Sequence, residues 1–402
     1  AKVEGHINGG LSDTVRGRLA FSTLQGGEYQ TDIYTGAGYG DLDKAAVRGM
    51  LEFDLSDTVG ALWNIHAGRD KSTSSATVIA DDAGGLVFFG LEGGTFADGF
   101  HTARDVEAGF IPTHDNSGWG SSLTIDAELS FGSLTSITAF GEEDVLIADS
   151  YDGRASFYGD VVSDITLEQF SQEFRLTSAS DGPFTWVGGV IYSVEEQLAR
   201  ENSVPLGDTI TLLDIIFAAG LGPVVESDAA VDTQYDQKIE SLGAYFHTET
   251  QLNNQFKLTA GLRYSSDEVT YSADVIDFTA FNDGFGGFIA ATNLFFNGTI
   301  IPTTAPVDGV GVSLGGVGGP GQDPGKHDDN NVSGKVALDY QPNDDWLLYA
   351  SAATGYKGGR FYSGPVANST YLFYVRPEEL TAYEAGFKST LADGRMQLNA
   401  SA

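Results

Sequence analysis

The sequence predicts an all-β fold, namely an antiparallel transmembrane β-barrel with long loops at one end. Two observations carry this prediction: apolar and polar residues alternate with a period of two, and short and long connections alternate along the whole chain. In an antiparallel meander every second connection lies at the same end of the sheet, so one end receives the tight turns and the other receives every long loop. No uncharged apolar run reaches 18 residues, so the sequence offers no membrane-spanning helix.

The alternation defines the strands. In residues 255–265, Phe256, Leu258 and Leu262 alternate with Lys257 and Arg263. An extended strand turns successive side chains to opposite faces, so each such segment has one apolar face and one polar face. The same pattern is found in residues 47–54, 123–129, 170–176 and 383–388.

Turn-forming residues join these strands into seven hairpins. Asn, Asp, Ser, Gly and Pro favour turns, and they mark turns at residues 11–13, 56–57, 131–133, 178–183, 252–254, 341–344 and 393–394. Long connections separate the hairpins at residues 24–43, 71–118, 145–166, 198–236, 272–329 and 356–378. We therefore expect about 14 strands of a larger barrel, with the long connections as extracellular loops.

Composition argues against several classes of function. The 402 residues carry 21 Lys and Arg against 56 Asp and Glu, a net charge of −35, whereas nucleic-acid binding requires clustered basic residues. The chain has no cysteine, which excludes disulfide frameworks and thiol catalysis. We expect no catalytic residues, no cofactor, no resident metal and no nucleic-acid partner.

A soluble β-sandwich or β-helix is the main structural alternative, because a period of two does not exclude it. A sandwich has no reason to place every long loop at one end. In the barrel, the charged rows of the strands are expected to face a polar lumen. The residues expected to face it are Glu173, Arg175, Arg263, Glu384 and Lys388.

One acidic run offers oxygen ligands of the kind that calcium prefers, at Asp328, Asp329, Asn330 and Asn331. Carboxylates are abundant throughout the chain, so a run of this kind carries little weight. We expect these residues to form a solvated loop tip.

Several segments resemble the barrel of TonB-dependent outer-membrane receptors, in the branch of iron-complex receptors. Residues 172–178 read QEFRLTS, residues 184–192 read FTWVGGVIY, and residues 349–361 read YASAATGYKGGRF. Residues 376–388 read RPEELTAYEAGFK, and residues 391–399 read LADGRMQLN. The order and spacing of these motifs agree with that family, and the resemblance extends over residues 1–402.

The resemblance implies a 22-stranded barrel in the outer membrane of a Gram-negative bacterium, in contact with lipid and lipopolysaccharide. It also implies a plug domain inside the barrel and coupling to the inner-membrane TonB complex. The sequence shows no plug and no final barrel strands, so residues 1–402 are interpreted as a partial barrel domain. The substrate class that the resemblance favours is a ferric siderophore or other iron complex, with cobalamin or carbohydrate as alternatives.

Aromatic and basic residues of the long loops are the candidates for ligand binding. Aromatic rings capture planar or apolar ligands at low entropic cost, and Lys or Arg can meet an anionic chelate. The candidates are Tyr34, Tyr39, Phe88, Phe89, Tyr151, Tyr158, Lys357, Arg360, Phe361 and Tyr362. A passive porin with an open lumen, or a secreted adhesin, would fit the same strand pattern without such a site.

Overall fold

The computed structural model describes residues 1–32, 36–73, 105–106, 113–150, 160–179, 182–204, 231–277, 312–317, 325–363 and 372–402. These residues form twenty strands: β1 (Lys2–Gly10), β2 (Val15–Gly26), β3 (Gln30–Asp32), β4 (Gly38–Tyr39), β5 (Leu42–Ser56), β6 (Val59–Asp70), β7 (Asp105–Val106), β8 (Thr113–Leu129), β9 (Gly132–Ser150), β10 (Asp160–Ser178), β11 (Phe184–Val204), β12 (Val231–Gln251), β13 (Phe256–Asp277), β14 (Val312–Val317), β15 (Lys326–Asn343), β16 (Trp346–Lys357), β17 (Arg360–Phe361), β18 (Tyr374–Val375), β19 (Glu378–Leu391) and β20 (Met396–Ser401). Among the described residues, no helix is long and apolar enough to cross a membrane.

Fourteen strands follow one another in a single antiparallel sheet. Their order is β1-β2-β5-β6-β8-β9-β10-β11-β12-β13-β15-β16-β19-β20, and β14 pairs with β13 beside this path. The predicted antiparallel architecture and the predicted number of strands are therefore confirmed. Two small sheets, β4-β3-β7 and β17-β18, lie within the long connections.

The sheet has two chemically distinct faces. We call the outer face the one that carries exposed apolar side chains, such as Phe174 on β10 (49% exposed) and Leu262 on β13 (61% exposed). The inner face is the opposite one, and it carries Glu173, Arg175 and Arg263. Apolar groups cover the outer face at mid-strand because the period-two pattern places them there, as in a wall that meets lipid.

All of the short connections lie at one end of the sheet, as predicted. The turn between β19 and β20 shows how the sequence closes them. Ala392, Asp393 and Gly394 have φ values of +53°, +55° and +83°. Asp and Gly tolerate this left-handed region better than most residues, so the Asp393-Gly394 pair fits the tight return.

The strands are longer than the sequence predicted. Residues 145–166 were expected to be a connection, but β9 extends to Ser150 and β10 begins at Asp160. The reason is that polar pairs interrupt the apolar residues on the outer face there, although Leu146 and Val162 remain exposed on the same face. The Thr166 hydroxyl donates to Asp144 at 2.9 Å, and the Lys326 ammonium lies 2.6 Å from Glu268. The period-two alternation is therefore irregular in the outer part of the hydrogen-bonded ladder.

The acidic run at residues 328–331 is not a loop tip, which corrects a second expectation. It lies inside β15, where successive residues point to opposite faces. Asn330 accepts a hydrogen bond from the Tyr264 hydroxyl at 2.7 Å on the outer face. Asp329 lies on the inner face, opposite Asp267 of β13.

The buried core of the described chain lies on the inner face at the loop end. Tyr235 and Ile239 of β12 pack there with Val269, Tyr271 and Val275 of β13. Near the turns, the same face carries mainly polar side chains. The apolar packing therefore concentrates at the mouth of the sheet, where the long connections begin.

Candidate functional site

The mouth is organised around one ring, that of Phe361. Phe361 is 4% exposed and stacks on Tyr271, with ring centroids 4.6 Å apart and planes 5° from parallel. Tyr374 meets its edge at 5.2 Å, and His327 lies 5.4 Å away. The β17–β18 hairpin, which carries Phe361 and Tyr374, is thereby packed onto the inner face.

Polar contacts hold the same hairpin in place. The Phe361 amide donates to Gln237 Oε1 at 3.1 Å, and the Tyr271 hydroxyl donates to the Tyr362 carbonyl at 3.1 Å. Arg360 donates to Glu195 Oε1 at 2.7 Å. These contacts reach β11, β12 and β13, so the hairpin spans part of the mouth instead of extending away from it.

The predicted ligand residues fall into three groups. Lys357, Arg360 and Tyr362 are exposed at the mouth, and Tyr362 (40% exposed) stacks with Phe373 at 6.1 Å. Phe361 and Tyr39 are buried. The others lie outside the described residues: Tyr34, Phe88, Phe89, Tyr151 and Tyr158. A role in binding remains a prediction for each of them.

Burial gives Phe361 and Tyr39 a packing role in this structure. Tyr39 lies in the β4-β3-β7 sheet, where its hydroxyl donates to Asp32 Oδ2 at 3.3 Å. Phe361 fastens the hairpin. Neither ring has a face open to solvent, so the exposed aromatic surface of the hairpin comes from Tyr362 and Phe373.

Two tyrosine–aspartate pairs at the mouth were not predicted. The Tyr356 hydroxyl donates to Asp267 Oδ2 at 3.1 Å, and the Tyr374 hydroxyl donates to Asp329 Oδ2. Burial, followed by the hydrogen bond to Asp329, raises the pKa of the Tyr374 hydroxyl above its ordinary value. Sequence spacing does not reveal these pairs, because β13, β15, β16 and β18 come together only in the folded sheet.

The predicted lumen residues lie on the inner face, near mid-strand. Glu173 accepts a hydrogen bond from the Tyr245 hydroxyl at 2.6 Å, and Glu384 accepts one from Tyr349 at 2.7 Å. Arg263 donates to Ser265 Oγ at 3.0 Å. Arg175 is partly exposed and Lys388 is exposed. The inner wall is therefore polar and internally hydrogen-bonded, and its part in binding stays a prediction.

Side chains on the described strands form no group of three or more His, Asp or Glu residues arranged to hold a metal ion. The inner wall can instead offer hydrogen-bonding groups, exposed aromatic rings and a few cations. These groups suit reversible binding of a small ligand.

Comparison of the sequence with models of protein families identifies the kind of barrel. The model of TonB dependent receptor-like β-barrels matches residues 14–402. The chain belongs to that family. As a TonB-dependent receptor barrel it is a multi-pass β-barrel of the Gram-negative outer membrane, as the motifs indicated.

Solved structures share the fold of this TonB-dependent receptor barrel. The ferric yersiniabactin uptake receptor FyuA of Yersinia pestis is 16% identical with a TM-score of 0.69, and the match covers 100% of this chain and 51% of FyuA. The siderophore receptor PiuA of Acinetobacter baumannii is 13% identical with a TM-score of 0.61, covering 100% and 54% of the two chains. The copper transporter OprC is 13% identical with a TM-score of 0.54, covering 100% and 51%.

The chain thus spans about half the length of the receptors that it resembles. No curated protein sequence matches it significantly.

Proposed function

We propose that the protein carrying this chain is a TonB-dependent receptor that takes up a ferric siderophore. The family supports TonB-dependent uptake, and two of the similar structures are named as siderophore receptors. OprC, named as a copper transporter, shares the same fold, so the fold alone does not select iron. Iron is favoured by the motifs that resemble the iron-complex branch.

The observation that carries the proposal is the hairpin folded into the mouth. It presents the exposed Tyr362–Phe373 stack close to the cations Lys357 and Arg360. Rigid rings offer contact area to a chelate at little entropic cost, and a guanidinium can bind its anionic oxygens. Arg360 already meets Glu195, which tempers its attraction for a strongly anionic ligand.

The remaining parts of the transport cycle are proposed from the family resemblance. A plug would occupy the inner space and contact the polar wall that includes Glu173 and Lys388. The inner-membrane TonB complex would displace that plug after binding. The apolar outer face would contact lipid and lipopolysaccharide. No bond of the ligand is made or broken, so the cycle requires no catalytic residue.

Equilibrium binding of ferric siderophores to the complete receptor, purified in detergent, tests this function. We expect saturable binding that weakens about 10-fold in Tyr362→Ala, since a lost aromatic contact is worth about 0.5–1.5 kcal/mol beyond its area. Tyr349→Phe, on the inner wall and distant from the hairpin, is the matched control and should bind normally. Tight binding of cobalamin or an oligosaccharide without binding of any siderophore would replace the iron proposal.

A passive porin is distinguished by conductance. Single-channel recording of the complete protein in a planar bilayer should show no steady large conductance if the interior is closed. A large and stable open current would favour the porin.

A further inference from the structure

A group of basic side chains lies on the inner face of β1, β2, β5 and β6, away from the hairpin at the mouth. Strand register places His6, Arg18, Arg48 and His66 on this face. All four line one open cavity of about 650 Å³, which we call the basic cavity. Arg18 is the fourth residue of β2, which begins next to a turn, so the cavity extends toward the turn end of the sheet.

Both arginines of the basic cavity lack a counter-charge. Arg18 and Arg48 are exposed, and among the described residues neither has a hydrogen bond or an ion pair. The other lysines and arginines on the inner face of these four strands are ion-paired, as Lys2–Glu4, Arg16–Asp54 and Lys44–Asp70. The absence of a partner is therefore specific to the two arginines of the cavity.

Strand register keeps carboxylates away from these two arginines. Their four register partners are Asn8, Met50, Ala20 and His66. The chain has 56 Asp and Glu against 21 Lys and Arg, so carboxylates are not scarce. Arg18 and Arg48 are diagonal neighbours on adjacent strands, about 7–8 Å apart at the backbone. Two like charges at this spacing repel each other unless an anion lies between them.

The floor of the basic cavity is made of small residues. These residues are Ala20, Ser22, Ala46 and Gly68. Because their side chains are short, the space above the backbone stays open. Glu4 is the only carboxylate among the described residues that line the cavity, and the Lys2 ammonium binds it at 2.8 Å. The cavity thus combines room for a small molecule with a positively charged lining.

We propose that the basic cavity is a binding site for a small oxyanion with two or more negative charges, such as a diphosphate or a polycarboxylate. A guanidinium binds phosphate and carboxylate oxygens through two parallel hydrogen bonds. Arg18 and Arg48 lie close enough to bind two anionic groups of one molecule. A cavity of this volume is typical of small-molecule sites.

The site goes beyond the proposed function and does not depend on the ligand of the mouth. The exposed Tyr362–Phe373 stack belongs to the hairpin, which contacts β11, β12 and β13. Glu173 and Lys388, the proposed plug contacts, lie on β10 and β19. The basic cavity is therefore a separate part of the inner wall, where an anionic solute would find a second site.

Calorimetric titration of the complete receptor in detergent with inorganic pyrophosphate tests this site, in metal-free buffer of constant ionic strength. We expect saturable binding of one pyrophosphate per receptor. Arg18→Gln and Arg48→Gln should each weaken it about 10-fold or more, since each removes a charged hydrogen-bond donor, and the double variant should abolish it. A second titration with tricarballylate, a polycarboxylate, shows which anionic group binds more tightly.

Arg16→Gln is the matched control. Arg16 lies on the same face of the same strand, but Glu52 and Asp54 already neutralise it, so this variant should bind pyrophosphate normally. Resistance to unfolding in unheated detergent verifies the fold of each variant. The absence of binding to the folded parent receptor overturns the inference. Equal affinity in the double variant also overturns it, because the anion then binds elsewhere.

Titration with a ferric siderophore separates this inference from the proposed function. The Arg18→Gln, Arg48→Gln double variant should bind the siderophore as the parent does, and Tyr362→Ala should keep its affinity for pyrophosphate. Pyrophosphate binding without siderophore binding supports the basic cavity and overturns the proposed function. Siderophore binding without pyrophosphate binding does the reverse. Loss of both ligands in the double variant would show one shared site and overturn the separate cavity.

Discussion

Gly189 shows how an absent side chain shapes the inner wall. Its register partners are Arg175 and Tyr245 on the adjacent strands. A Cβ atom at Gly189 would lie 2.7 Å from the Phe174 carbonyl oxygen and 2.7 Å from the Tyr245 hydroxyl. The glycine thus lets Tyr245 lie flat across β11 and reach Glu173 two strands away.

Gly189→Ala should therefore destabilise the barrel. The backbone carbonyl of Phe174 cannot move aside as a side chain can, so we expect a loss of about 1–3 kcal/mol, typical of overpacking. Gly49→Ala is the control, because its Cβ would meet only Ile65, at 3.5 Å. Denaturant unfolding in detergent measures both. Equal free energies of unfolding for the two variants would show that the Phe174 carbonyl and the Tyr245 side chain move aside to accommodate the added Cβ atom.

The β17–β18 hairpin is the element on which the mouth depends. It contacts the sheet through the stacked ring of Phe361, the amide bond to Gln237 and the Arg360–Glu195 pair. Its own ladder is short, with two register pairs. Its position is thus set by docking onto β12 and β13 and not by its own strand pairing.

Phe361→Ala should release the hairpin while the barrel stays folded. Removal of a buried phenylalanine costs about 3–5 kcal/mol, which is more than a two-residue ladder can replace. Hydrogen exchange should accelerate at the Phe361 and Tyr362 amides. Phe373→Ala, on the exposed face of the same hairpin, should leave this exchange slow. If the exchange of these amides stays slow in Phe361→Ala, the polar contacts alone are sufficient to hold the hairpin on the sheet.

At the scale of the whole molecule, the difference in polarity between the two faces of the sheet determines which environment each face requires. Apolar groups cover the outer face at mid-strand, and hydrogen-bonded polar groups cover the inner face. The lipid bilayer is the solvent that suits the first face, whereas the second requires water or protein. Adjacent residues on one strand therefore have opposite tolerances for charge.

Arginine substitutions at Val336 and Ala337, which are neighbours on β15, test this difference in the tolerance for charge. Val336 is exposed on the outer face, and Ala337 lies on the inner face between Thr259 and Ser351. Val336→Arg should cost about 2–4 kcal/mol, as for arginine at the bilayer midplane, and Ala337→Arg much less. Urea unfolding in lipid vesicles gives both values. The reverse order would place the lipid on the other face.

Sequence reasoning predicted the larger features and missed the contacts between distant segments. The strand number and the alternation of short and long connections follow from local patterns, so they could be predicted. The ends of the strands could not be predicted, because polar pairs such as Thr166 and Asp144 interrupt the apolar pattern while the hydrogen-bonded ladder continues. Residues 267 and 329 stand face to face only through the register of β13 with β15, and Tyr374 of β18 reaches Asp329 from a distant part of the sequence.

Three glycines of the inner wall determine how far its long side chains project. Tyr245 lies over Gly189, Arg263 over Gly243 and Tyr349 over Gly386, each within 2.8 Å of where a Cβ atom would be. These long side chains therefore lie along the inner face of the sheet and do not project away from it. The space in front of the inner face is therefore wider at these three positions than the size of the side chains alone would suggest.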